Sequence, residues 1–271
     1  MKRTVRAHAL IAALLAGTAA HAADRPNINA YYQQPSARTR APNAAKQDRA
    51  TRAIVTSTDP LRGVPTFLWA PADAPALPQA VGATPERAGR AYLERYARLY
   101  NLTPQALATA EVAQVHDTGR GGVIVVFRQK VDGLDVFHNE LKVLMRRDRS
   151  LVAIGGNLHA SAVNGHGRGG ALNLSPTHAI GSAFQDLYGV SLKPSDFTDM
   201  KQDRGGYRYF EMSQAVAMAS DLNLTRPVRV KQVWFPMPER LQAAYFMEVL
   251  VGRPDTTESD VYRSEEHTSE L

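Results

Sequence analysis

The sequence predicts an α+β protein of two small modules, each a helix packed on an antiparallel sheet. Three observations carry that prediction. Two segments open alike, Thr84-Pro85-Glu86-Arg87-Ala88 and Ser175-Pro176-Thr177-His178-Ala179, and each sets an N-cap residue before a proline at the first helical position. Each is followed by runs in which apolar and polar residues alternate, as in half-buried strands. Between them lies Asn164-Gly165-His166-Gly167-Arg168-Gly169-Gly170, a composition that suits a flexible linker. With 271 residues and 44% hydrophobic content, the chain can bury a core in each unit.

In chain order, residues 1–22 read as a secretory signal. Lys2, Arg3 and Arg6 form a basic start, 7–20 an apolar run, and Ala20-His21-Ala22 a small-x-small cleavage site. The expected destination is therefore extracellular, by way of a periplasm. The apolar run is shorter than the roughly 20 residues a bilayer crossing needs, and no later segment qualifies, so no membrane span is expected after signal removal. There is no cysteine, which removes disulfide and thiolate chemistry despite an oxidising destination. The formal charge is +6, but the three basic residues of the signal contribute to it.

Residues 23–79 are rich in Pro, Ala, Arg and Asn and read as an extended leader or linker, whose Phe67-Leu68-Trp69 docks on the body with Trp69 as anchor. The first module spans 80–162. After the Thr84-Pro85 start, Ala88, Tyr92, Tyr96 and Leu99 recur at helical spacing up to Asn101, an amphipathic helix of about four turns. Thr103-Pro104-Gln105 starts a second, short helix over 106–110. Strands follow at 112–116, 123–131 and 134–146, with Asp132-Gly133 suited to a hairpin turn. Alternation in the last strand puts Phe137, Leu141, Val143 and Met145 on the core face and His138, Glu140, Lys142 and Arg146 on the wet face. The Gly-rich stretch 163–173 is the expected boundary. It lacks the Lys-Ser/Thr and the adjoining helix start of a phosphate-cradling loop. The second module, 174–262, begins with a helix carrying Ile180, Ala183, Phe184 and Leu187 on one side and stopping at Gly189, and continues with strands at 207–212, 228–235 and 243–251.

The stretch 127–158, FRQKVDGLDVFHNELKVLMRRDRSLVAIGGNL, carries a recognisable pattern: F-x-Q-x-V, a D-G turn, G-L-x-V-F-x-x-E-L-x-V, a polar turn, and L-V-A-x-x-G-N-L. It resembles the fungalysin/thermolysin propeptide module of secreted zinc metallopeptidases. The turn Asp148-Arg149-Ser150 departs from that pattern by lacking its glycine. The second module resembles the PepSY module that follows in such pro-regions. The resemblance implies cystatin-like modules and a cognate catalytic domain, normally in the same polypeptide, which the pro-region inhibits and helps to fold. Zinc is expected in that catalytic domain and no cofactor in this chain. The last PepSY-type strand would begin at Val261-Tyr262. There the sequence passes into RSEEHTSEL, 263–271, which resembles the in-frame translation of a sequencing-library adapter and is read as an artefact tail; the second module is accordingly expected to be truncated.

No catalytic, cofactor-binding or metal-ligating residue is assigned, and the chain is expected not to be an enzyme. A zincin needs two His four apart on a helix with an adjacent Glu, so that both imidazoles reach one metal. His138-Asn139-Glu140 lies on a strand without a second His. His116, His159, His166 and His178 fall in different elements and read as surface or turn histidines. There is neither a Gly-x-Ser-x-Gly elbow nor a Cys nucleophile. Lys130, Lys142, Arg146, Arg147 and Arg149, with Arg229 and Lys231, make basic patches, but exposed aromatics interleaved with them are sparse, so no nucleic-acid partner is expected. The competing expectation is a free-standing secreted protease inhibitor or surface-ligand-binding module.

Overall fold

The computed structural model describes residues 46–165, 172, 174–220, 222–252 and 259–266. The signal, the leader up to residue 45 and most of the Gly-rich stretch, His166 included, lie outside the described residues. The fold is α+β, as the alternation of helix-start signals and strand runs predicts.

The first unit begins earlier than the sequence suggests. Strands β1 (Lys46–Gln47), β2 (Ile54–Thr58) and β3 (Pro65–Trp69) form a meander, and β3 pairs with β7 (Leu151–Gly156). Part of the expected leader is therefore sheet. Its anchor is Leu68, fully buried, whereas Trp69 is 46% exposed. Strand alternation decides this: with Leu68 turned inward, its neighbour must face out.

Helix α1 (Pro85–Tyr96) is capped by Thr84, whose side chain accepts from Arg87 N, and it tightens into a 3-10 turn, Ala97–Tyr100. Asn101 ends it in the left-handed conformation. The short helix α2 (Pro104–Ala108) is capped by Thr103. Then β4 (Ala110–His116), β5 (Val123–Val131), β6 (Leu134–Met145) and β7 run antiparallel. Ala88, Tyr92, Leu93 and Tyr96 of α1 pack with Leu68, Val125, Phe127, Leu141, Val143, Met145 and Ile154 in one core. Each fully buried large side chain there contributes about 1.5–3 kcal/mol.

In the second unit α3 (Pro176–Tyr188) is capped by Ser175 and stops at Gly189, φ 70°. It packs Ile180, Ala183 and Phe184 on a sheet of β8 (Phe197–Arg204), β9 (Tyr207–Met212), β11 (Val228–Pro236) and β12 (Leu241–Gly252). The short helix α4 (Gln214–Ser220) and strand β10 (Asn223–Leu224) lie between β9 and β11. Strand β8 was invisible in the sequence because FTDMKQDR has a mostly polar, largely exposed pattern. Strand β13 (Ser259–Glu266) pairs with β12 along its length. It starts before the expected Val261 and runs into the adapter-like residues, so the described sheet does have a strand in the place where one was expected to be lost.

The two units are not beads on a linker. Among the described residues the strands connect into a single branched sheet of 13, because β6 pairs with β11 in parallel where Trp234 faces Val136. Among the described residues no helix is long and apolar enough to cross a membrane.

Candidate functional site: the motif-bearing hairpins and their junction

The pattern residues of 127–158 turn out to be structural hinges of the first unit. Gln129, on the otherwise apolar inner face of β5, is fully buried. Its Nε2 donates to Ala106 O (3.1 Å), Thr109 Oγ1 (3.2 Å) and His159 O (3.1 Å), and its Oε1 accepts from His159 N at 2.6 Å. One side chain thus satisfies α2, the start of β4 and the exit of β7, which is the condition for burying an amide without penalty.

Gly156 ends β7 at φ 81°, and a Cβ there would sit 2.1 Å from Glu140 O. Only glycine fits. The neighbouring Asn157 Oδ1 accepts from Arg62, which also donates to Leu158 O (3.2 Å) and pairs with Asp59 (3.2 Å). Asp59 in turn caps its own turn, accepting from Leu61 N and Arg62 N. Sequence reading gave this turn only a leader's role. In the fold it clasps the meander β1–β3 to the end of β7.

The turn without glycine is solved by another residue. Arg149 itself takes φ 68°, while Asp148 Oδ1 accepts from Ser150 N (2.9 Å) and Ser150 Oγ (2.7 Å). Tyr92 donates to Arg149 O at 2.8 Å and Arg149 Nε donates to Ala83 O at 3.3 Å, so helix and turn hold each other.

The expected alternation of β6 fails at 136–139. Arg128 faces Glu140 and Lys130 faces Asp135, so Gln129 alone opposes the stretch between, a large bulge in which His138 has φ 46°. Leu141, Val143 and Met145 do face the first core. Phe137 does not: the bulge turns it into a separate cluster with Val233, Phe235, Met237 and Ala244 of the second unit. Bulges re-aim side chains in this way. Val136 joins Val131, Trp234 and Ala243 in another junction cluster, where Trp234 Nε1 donates to Val131 O at 3.0 Å.

His159 was expected at the surface and is 1% exposed. Leu158 beside it is buried as well, and together they carry the chain under the junction. Ser161 N donates to Nδ1 (3.1 Å), which leaves the proton on Nε2 to be donated to Met237 O at 2.7 Å. Burial, reinforced by the Arg62 guanidinium, pushes its pKa down to about 4. The local hint of this burial was the apolar Leu158 before it, since β7 itself ends at Gly156. His116 and His178 are exposed, the latter bonded to its own cap Ser175 (2.9 Å).

The basic patches are largely ion-paired. Lys142 and Arg128 share Glu140, Arg147 pairs with Asp117 (2.7 Å), Arg229 with Glu248 (2.7 Å), and Lys231 with Asp135. Burial raises the Glu140 pKa, but the hydrogen bond from Arg128 and the nearby cations outweigh it and hold the carboxyl below its usual range. Among the described residues no group of three or more His, Cys, Asp or Glu is placed to hold a metal ion.

The pattern residues therefore build a fold, and their arrangement can be compared with known families. Residues 108–158 match the Fungalysin/Thermolysin Propeptide Motif. The match runs from the end of α2 through β7 and includes Gln129, the bulge, Glu140 and Gly156. This propeptide motif supports a non-catalytic pro-region of a fungalysin/thermolysin-type peptidase, and a propeptide implies a cognate peptidase domain as partner. No curated protein matches the chain.

Proposed function

We propose that the chain is the pro-region of a secreted, fungalysin-like zinc metalloendopeptidase. It holds the catalytic domain inactive during export and assists its folding, and the zinc belongs to that domain. The observation that carries this reading is the propeptide motif at 108–158, in which Gln129, Phe137 and Gly156 are buried or sterically confined instead of being presented to a substrate. A ligand that binds only the folded catalytic domain stabilises it by mass action, and a tether makes its effective concentration high. Inhibition and folding assistance then share one contact. The second unit, 174–262, acts as a PepSY-type partner of the first, its helix-first order supporting that assignment.

The test is to read the gene past codon 262 from intact DNA. An open frame containing His-Glu-x-x-His is the expected result. An early stop overturns the tethered reading in favour of a free-standing secreted inhibitor or surface-ligand binder.

A further inference from the structure

The turn between β5 and β6 and the start of the Gly-rich boundary are clasped by two reciprocal hydrogen bonds. Asp132 N donates to Asn164 Oδ1 at 3.0 Å, and Gly165 N donates to Asp132 Oδ1 at 3.0 Å. Asn164 and Gly165 are exposed, whereas Asp132 Oδ2 is buried without a hydrogen-bond partner. Asp132 holds its place at φ 47°, and Gly165 takes φ 105°, a conformation that glycine alone adopts readily.

Asn164-Gly165 is also the chain's one Asn-Gly pair. In such a pair the main-chain nitrogen of the glycine attacks the side-chain carbonyl carbon of the asparagine and closes a cyclic succinimide. Two things make that attack slow. An amide nitrogen is a poor nucleophile until its proton leaves, and the amide oxygen must carry negative charge while its carbon is tetrahedral. The clasp addresses both. The Asp132 carboxylate accepts the very proton that must leave the Gly165 nitrogen, the position of a general base. The Asp132 N–H points at the oxygen on which charge develops, the position of an oxyanion donor. No atom lies within 4 Å of where a Cβ on Gly165 would stand, so the approach is unobstructed, and both reacting residues are open to water.

We propose that Asn164 is an autocatalytic deamidation site, with Asp132 as its base and oxyanion donor. The Gly165 nitrogen forms a bond to Asn164 Cγ and passes its proton to the Asp132 carboxylate. The bond from Cγ to the side-chain nitrogen then breaks, and that proton leaves with the departing ammonia. Water opens the succinimide to aspartate or isoaspartate, so the net change is uptake of water and release of ammonia. The new carboxylate stands beside that of Asp132, and like charges so close repel. The clasp that fixes where the first unit releases the chain toward the second therefore opens as the molecule ages. Nothing in this chemistry requires the cognate peptidase.

The experiment incubates the full chain at neutral pH, folded and in parallel unfolded in guanidinium chloride, and follows Asn164 by peptide mapping with mass spectrometry. Expected is conversion at Asn164 at least about tenfold faster in the folded chain. The other asparagines, none of them followed by glycine, should stay unchanged over the same period. Asp132→Ser keeps the backbone donor and removes the base, and should bring the folded rate down to the unfolded rate or below. A thermal melt close to that of the parent shows that the variant is folded; if it is not, the folded and unfolded parent chains decide by themselves. A folded parent that converts more slowly than the unfolded one, or a folded Asp132→Ser chain that converts faster than the parent, means that the clasp protects Asn164 and overturns the proposal. So does modification confined to Asp132-Gly133, or chain cleavage after Asn164, in which the side-chain nitrogen and not that of Gly165 is the nucleophile.

Discussion

Gln129 and His159 hold each other through two hydrogen bonds, the amide nitrogen of Gln129 donating to His159 O and its oxygen accepting from His159 N. The pair joins the middle of β5 to the chain leaving β7, and His159 passes the link on to Met237 of the second unit. A buried polar chain thus runs from α2 to the far side of the junction.

Gln129→Leu keeps the volume and removes the hub. His159 N and O, Ala106 O and Thr109 Oγ1 lose a partner in a site without exposed surface. The expected loss is about 3 kcal/mol, since each buried group left unpaired costs about 1–3 kcal/mol. Urea melts that show less than about 1 kcal/mol lost refute the network's importance.

His159 makes stability depend on pH. Its pKa when folded is about 4 against an ordinary 6.5, so the unfolded chain binds the proton more readily. The stabilisation is complete above pH 6.5, falls as pH drops toward 4, and totals about 3 kcal/mol across that window. The groups facing the imidazole are Arg62 and Asp59 of the clasp, Ser161 N and Met237 O. Denaturation midpoints measured from pH 7 to 4 should slope downward, and His159→Gln should flatten that slope.

Two glycines with similar φ should respond differently to alanine. Gly156 (φ 81°) faces Glu140 O at 2.1 Å from a Cβ, whereas Gly133 (φ 85°) has nothing within 4 Å. Gly133→Ala costs about 1 kcal/mol for its backbone alone. Gly156→Ala costs more than about 3 kcal/mol, because the β6 backbone must also move. Equal melting temperatures for the two variants contradict the close approach.

Phe137→Ala empties the junction cluster, at a cost of about 3–5 kcal/mol. Because Phe137 packs on Phe235 and Phe246 and not on α1, the loss falls on the coupling between the units. Calorimetry should resolve two transitions in place of one. Leu141→Ala, in the first core, should lower the first unit's stability without splitting the transition.

Most of the elements were legible because their signals are local. Thr84-Pro85, Thr103-Pro104 and Ser175-Pro176 cap helices as read, Gly189 stops α3, and 123–131 is a strand with the predicted bounds. What escaped is what two distant segments decide together. Phe137 looked like a core residue of its own strand, but the bulge that re-aims it is stabilised by residues about a hundred positions later. His159 looked superficial because nothing near it in sequence announces Met237. The strands β1–β3 were hidden by their Pro- and Arg-rich surroundings, and Asp59 and Arg62 show their purpose only against Asn157 and Leu158.

The parallel contact of Val136 with Trp234 also sets an order of events during synthesis. Residues up to 158 can close around α1 as soon as they emerge, since that core uses contacts within the unit. The bulge cannot. Until β11 and β12 have been made, Val136 and Phe137 have no surface to cover them, and contacts so far apart in sequence form late. The nascent chain therefore carries an exposed aromatic knob on a finished sheet while the residues between 158 and 252 are made, about a third of its length, which makes that knob the place where a holding chaperone would act and where premature association would begin.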